Sequence, residues 1–254
     1  MRGLRMGLPC GPAWSPGSYH AVADPGGPGA PPPRETPLPE PAHPTDDRPG
    51  RERPAQRRLQ EDRRAVLGRA RLCVLATEAV ARGPWLAAVE AALRGGAGVV
   101  QLREKTLDDV EVARRAAVLR RLCDDHGALL VVNDRVAVAR DAGADGVHLG
   151  QEDASVAEAR GVLGSGALIG ASTHDAAELD RALADGTDYV GVGSLYPTAT
   201  KGRAVPVGSP TLLAPLARRA EAAGVPAFGI GGVDVARIGE VARAGFLRVA
   251  VSAG

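Results

Sequence analysis

The chain has 254 residues, room for one domain or two small ones, and its 31 basic and 30 acidic residues leave a net charge of +1. That balance makes no global case for nucleic acid or a membrane surface, and an aromatic content of 3% weakens base stacking further. Three widely spaced cysteines, Cys10, Cys73 and Cys123, match neither a disulfide framework nor a metal-ligand pattern, so a reducing cytoplasm is the expected compartment.

Residues 1–57 hold 14 of the 20 prolines, including "APPPRETPLPEP", and almost no apolar pairing. Such a segment buries too little surface to offset its ordering entropy and is expected to be a disordered tail. A linker, a partner-binding tail and translated upstream sequence stay open as its meaning. Pro9, Gly11 and Pro12 interrupt any apolar stretch after Arg2 and Arg5, so no secretory signal is expected. No apolar run of the roughly 18 residues a transmembrane helix needs occurs either. Residues 58–70, "RLQEDRRAVLGRA", read as a helical lead-in.

From residue 71 short apolar runs alternate with Ala-rich amphipathic stretches. The strand candidates are 71–77, 98–103, 128–133, 146–149, 167–172, 188–193, 226–230 and 247–251. Helical stretches at 107–126, 153–163, 174–185, 209–223 and 233–244 repeat apolar residues at three- and four-residue spacing. Asp108 and Ser209 look like helix starts and Gly224 like a stop. Eight apolar strands separated by seven helices predict an α/β fold, a closed (β/α)8 TIM barrel occupying residues 71–254. No GxGxxG follows the first strand, which counts against a dinucleotide fold.

The polar residues gather after the strands. Gln101, Arg103, Glu104 and Lys105 follow the second strand, and Asn133, Asp134 and Arg135 the third. His148, Gln151, Glu152 and Asp153 come with the fourth, Ser172 and His174 with the fifth, "GVGSLYPTATKG" with the sixth. "GIGGVD" follows the seventh, and Val251 and Ser252 end the eighth. A barrel collects these C-terminal strand ends into one ring, where its chemistry sits. The turns of the opposite rim, such as Ala142–Gly146, are expected to carry little chemistry.

Within the ring Arg103, Lys105 and Lys201 are cationic; Asn133, Ser172, Thr198 and Thr200 are neutral donors; Asp134 and Asp153 are carboxylates. Cations and donors around two carboxylates suit a diphosphate held with Mg²⁺. Asp134 and Asp153 would also serve as helix caps, and Asp234 as the cap of a tight turn. Gly231 and Gly232 open a helix and would let backbone N–H groups approach a second phosphate. "GVGSLYPTATKG" is open between a plain turn and a phosphate cradle.

Together "VQLREK", "VVNDRVAVARDAGADGVHLGQED", "IGASTHD", "DYVGVGSLYPTATKG" and "FGIGGV" resemble the thiamine phosphate synthase family over about residues 71–252. The resemblance implies a transferase that joins hydroxymethylpyrimidine diphosphate to hydroxyethylthiazole phosphate, giving thiamine phosphate and pyrophosphate. It implies Gln101, Arg103, Lys105, Asn133, Ser172 and Lys201 on the pyrimidine diphosphate, and Asp134 and Asp153 on Mg²⁺. Thr198, Thr200, Gly232, Val251 and Ser252 fall to the thiazole phosphate. The implied mechanism is dissociative, with Arg103, Lys105, Lys201 and Mg²⁺ neutralising the leaving diphosphate and no strong base required. His148 reads as a packed structural histidine rather than an acid or base.

Two departures from the family pattern stand out. The first strand ends in "LATEAVARG", with Glu78 near the position of an aspartate. The family pattern also continues into a closing helix beyond strand eight, whereas this sequence ends at Gly254, so a labile or oligomer-dependent barrel, open near Val249 and Val251, is expected. The expected partners are the two small substrates, with neither nucleic acid nor membrane, and a homo-oligomer stays open. The alternative functions are the related thiazole tautomerase and a non-catalytic phosphate-binding barrel.

Overall fold

A computed structural model describes residues 54–78, 84–197 and 207–252. Eight parallel strands, β1 (Leu72–Ala76), β2 (Val99–Leu102), β3 (Leu129–Asn133), β4 (Gly146–Leu149), β5 (Leu168–Thr173), β6 (Tyr189–Val192), β7 (Ala227–Ile230) and β8 (Arg248–Ser252), close into a barrel in chain order. β8 pairs back onto β1, with Val74 opposite Val251. The expected (β/α)8 barrel is therefore the fold, and each strand lies within a residue or two of its expected place.

Helix α1 (Pro54–Arg69) precedes β1. It begins four residues before the expected lead-in; residues 1–53 of the expected tail lie outside the described residues. The connecting helices are α2 (Trp85–Arg94), α3 (Asp109–His126), α4 (Val136–Asp141), α5 (Val156–Leu163), α6 (Ala176–Ala184), α7 (Pro210–Ala222) and α8 (Ile238–Ala244). Their ends follow local chemistry. The Asp108 carboxylate accepts from the Glu111 N–H at 2.8 Å, and Gly127 closes the same helix in the left-handed conformation. Ser155 and Glu158 form a reciprocal capping box on α5. Ser209 caps α7 with Pro210 in its first turn, as expected.

Strand side chains alternate between two cores. Inside the barrel, Cys73, Leu75, Val99, Leu129, Val131, Leu168, Tyr189, Phe228 and Ala250 pack together, and Leu67 and Ala70 join them. Outward residues such as Val100, Leu102, Leu130 and Val132 pack under the helices. A second outer cluster joins Val190 and Val192 to Leu213, Ala217 and Phe246. Burial raises both the Cys73 and Cys123 thiols to about 12, so neither is a reactive thiolate at neutral pH.

The N-terminal rim, expected to carry little chemistry, is nonetheless rich in charge. Asp145 takes Arg63 at 2.8 Å, Arg120, and the Leu130 N–H at 2.8 Å. Asp188 takes Arg64 at 2.8 Å, Arg160 at 2.8 Å and the Ile169 N–H at 2.8 Å. Arg248 pairs with Glu221 and donates to the Gly68 carbonyl at 2.9 Å. These groups tie α1 and the outer helices to the barrel floor: each carboxylate meets at least one arginine, although Arg120 Nε and Arg248 Nε are buried there with no hydrogen-bond partner among the described residues.

Candidate active site

At the C-terminal rim lies an open cavity, with about 740 Å³ of empty space when the solvent at its mouth is counted. Gln101, Arg103, Asn133, His148, Ser172, Ser194, Gly231, Gly232, Val251 and Ser252 are among the residues that line it, and Leu75, Ile230 and Ala250 form its apolar floor. Seven of the thirteen residues assigned from sequence thus line one cavity: Gln101, Arg103, Asn133, Ser172, Gly232, Val251 and Ser252. Thr198, Thr200 and Lys201 lie outside the described residues.

The loop after β2 is fastened on three sides. The Thr77 hydroxyl donates to the Arg103 carbonyl at 2.9 Å, and the Glu78 N–H donates to Glu104 at 2.8 Å. The Arg115 guanidinium, itself buried, donates to Glu104 at 2.9 Å and to Glu78 at 2.6 Å, and lies 5.2 Å from the Trp85 ring centre. Arg135 donates to the Glu104 carbonyl at 3.2 Å. Arg103 is thereby held in the cavity wall. Burial lowers its pKa, with Asp134 and Glu104 opposing.

Lys105 pairs with Asp134 beside the cavity. Asp134 sits at φ 63°, in the left-handed region that non-glycine residues seldom enter but aspartate tolerates, and its N–H donates to the His148 carbonyl at 2.8 Å. Burial raises its carboxyl pKa, and a hydrogen bond with Asp153 raises it further against the pull of Lys105. The Asp153 carboxylate also accepts from the Gly150 N–H at 2.6 Å. Neither aspartate caps a helix: Arg135 precedes α4 without a side-chain cap, and Ser155 caps α5. Two adjacent carboxylates are a suitable donor set for a hard cation that completes its shell with phosphate and water. Among the described residues no group of three or more His, Cys, Asp or Glu forms a metal cluster, so the protein's own share would be this pair.

The far wall is a two-glycine turn. Gly231 and Gly232 have φ of 99° and 64°. A Cβ at Gly231 would stand 2.1 Å from Ser194 Oγ, and one at Gly232 would stand 2.8 Å from the Pro197 carbonyl, so only glycine fits either place. The Tyr196 N–H donates to the Gly231 carbonyl at 3.0 Å, which knits the loop after β6 to the loop after β7. Asp234 accepts from the Arg237 N–H at 2.9 Å and closes the turn, as the capping alternative expected. Ser252 Oγ is buried here with no hydrogen-bond partner among the described residues.

The Thiamine monophosphate synthase family matches residues 72–254. The chain belongs to that family. It is 50% identical over 163 residues to the thiamine-phosphate synthase of Thermosynechococcus vestitus, a match covering 64% of this chain and 45% of the relative. It is 43% identical over 193 residues to that of Nostoc sp. strain PCC 7120, covering 76% of this chain and 53% of the relative. The chain therefore spans about half the length of the curated relatives it matches. The solved thiamine phosphate pyrophosphorylase of Pyrococcus furiosus superposes with a TM-score of 0.64 at 32% identity, over 74% of this chain and 87% of that one.

Several supporting roles escape sequence reasoning, even where the residue itself, as with Gln151, is placed on the rim. Gln151 donates to the Ser172 carbonyl at 2.6 Å and accepts from Arg181 at 3.2 Å. Arg115 and Tyr189 are ordinary helix and strand residues by pattern; only their neighbours across the fold give them a role. "GADG" before β4 and "GTDY" before β6 do repeat one Gly-x-Asp signal, which marks the two floor aspartates. No helix among the described residues is long and apolar enough to cross a membrane.

Proposed function

We propose that this protein condenses hydroxymethylpyrimidine diphosphate with hydroxyethylthiazole phosphate, releasing thiamine phosphate and pyrophosphate. The observation that carries this is one cavity with two anion-fit walls: Arg103, Asn133 and Ser172 on one side, Gly231, Gly232 and Ser252 on the other. The Lys105–Asp134–Asp153 cluster beside it favours the synthase over the tautomerase or an inert binder, since neither of those needs a diphosphate and cation site.

In this reading Arg103 and Lys105, with Lys201, take up negative charge on the departing diphosphate. The methylene–oxygen bond of the pyrimidine substrate breaks with its electron pair on the diphosphate. The thiazole nitrogen then supplies the pair for the new carbon–nitrogen bond. Gln101 and Asn133 orient the pyrimidine, while Gly232 with the Val251 and Ser252 segment holds the thiazole phosphate, as do Thr198 and Thr200. The apolar floor of Leu75, Ile230 and Ala250 offers no hydrogen-bonding side chain to hold a water beneath the reactive carbon. Asp134 and Asp153 would hold Mg²⁺, which when bound would add positive charge at the diphosphate. The buried free thiols Cys73 and Cys123 support a cytoplasmic location.

The test is pyrophosphate release by the purified chain given both substrates. Release that needs Mg²⁺ and the thiazole phosphate is expected. Folded protein that binds thiazole phosphate but releases none would return the reading to the tautomerase or the binder.

A further inference from the structure

The mechanism leaves one titratable group of the cavity unused. His148 on β4 is buried at the cavity wall. Its Nδ1 lies 3.2 Å from the Tyr189 hydroxyl and its Nε2 lies 3.1 Å from Ser172 Oγ. The tyrosine ring is built into place: Gly170 leaves the space it fills, since a Cβ there would stand 2.1 Å from the ring. The ring also packs edge-on against Phe228 at 5.9 Å and beside His148 at 5.4 Å. Ser172 is pinned through its carbonyl by Gln151.

We propose that His148 is a positioning residue: the Tyr189 O–H donates to Nδ1, the Nε2–H donates to Ser172 Oγ, and the serine proton is thereby directed at a phosphate oxygen in the cavity. The direction follows from hydrogen-bond accounting. Burial raises the Tyr189 phenol well above its usual pKa, so it keeps its proton, and Gln101 bonds its oxygen. That proton needs an acceptor, and Nδ1 is within reach. A ring nitrogen's role is set by the bond its partner nitrogen makes, so Nε2 carries the hydrogen. An oxygen accepting from Nε2 turns its own proton elsewhere, and Ser172 borders the cavity. The reversed chain would make Ser172 donate to Nε2 and turn lone pairs at the anion. This inference rests on the reading that the cavity takes a phosphorylated ligand.

The experiment uses the full chain with ¹⁵N-labelled histidine and long-range proton–nitrogen correlation, the signal assigned with His148→Gln. A protonated Nε2 and a bare Nδ1 are expected. Inorganic pyrophosphate with Mg²⁺, followed by calorimetry, is the binding probe. Ser172→Ala should weaken it about tenfold, the scale of a hydrogen bond to a charged group. Tyr189→Phe, which keeps the packed ring, should mix the His148 tautomers and weaken binding about threefold or more. The double variant should bind no worse than Ser172→Ala alone. A proton on Nδ1 in the unaltered protein, or additive losses in the cycle, overturns the proposal. An unaltered protein that shows the Nε2–H tautomer yet binds no pyrophosphate instead overturns the phosphate reading of the cavity, and the serine's role with it.

Discussion

The two rims of this barrel carry similar side chains and do opposite things with them. On the N-terminal rim, Asp145 and Asp188 each meet two arginines and a backbone N–H. On the C-terminal rim, Asp134 faces Asp153 as well as Lys105, and the Ser252 hydroxyl has no partner among the described residues. A saturated charge stabilises; an unsaturated one waits for a ligand. Counting charged residues per rim would miss this, because both rims are rich in them. What separates stability from function here is leftover hydrogen-bonding capacity that borders the cavity, since the floor's own unpartnered atoms, Arg120 Nε and Arg248 Nε, belong to residues that do not line it.

That contrast can be broken at its strongest point. Asp145→Ala strands Arg63, Arg120 and the Leu130 N–H, and should cost about 3–5 kcal/mol of stability, the scale of a broken buried pair. Chemical denaturation would show it, and turnover per folded molecule should stay unchanged. A loss of turnover without loss of stability would mean the floor is not merely structural. Arg103→Met is the converse. It should lower turnover by about 10²–10³-fold while stability moves by no more than about 0.5 kcal/mol. A large drop in melting temperature with near-normal turnover would place Arg103 with the floor residues instead.

Ser252→Ala sharpens the same contrast on a smaller scale. Removing an unpartnered hydroxyl should leave stability level or raise it by up to about 1 kcal/mol, while thiazole phosphate binding weakens about tenfold. The smallest effect belongs to Glu111 on α3, whose carboxyl is lowered from 4.5 to about 2 by hydrogen bonds from Arg114 and Arg115. A lowered folded-state pKa contributes stability that is present above the unfolded value and lost as pH falls through the folded one. The small deficit of Glu111→Gln in melting temperature should therefore be complete at neutral pH and fade between about 4.5 and about 2. A deficit that survives below that window would mean packing, not charge, is at work.

The strands were legible because a strand buried on both faces reads as a short apolar run, and helices such as 107–126 announce themselves by period and cap. The ends were less so: α8 starts at Ile238, five residues after its apolar pattern begins, because 233–237 form the turn that Asp234 closes. The wall residues Gln101, Arg103, Asn133 and Ser172 were found because a parallel barrel must gather its strand ends. Arg115 and Tyr189 were not, since nothing local distinguishes them from their neighbours, and Gln151 was placed on the rim without its role of holding the Ser172 carbonyl.

By itself the sequence determined the alternation of strand and helix, the parallel barrel that alternation forces, and which rim collects the donors, because each depends on local period and on the handed connection between neighbours. Only the tertiary structure decided which charges are spent. Asp145 and Asp134 are both aspartates beside strands, yet one meets arginines from α1 and α3 while the other meets a second carboxylate nineteen positions away. The state of a polar group is set by burial and by partners from remote elements, and those become neighbours only when the barrel closes.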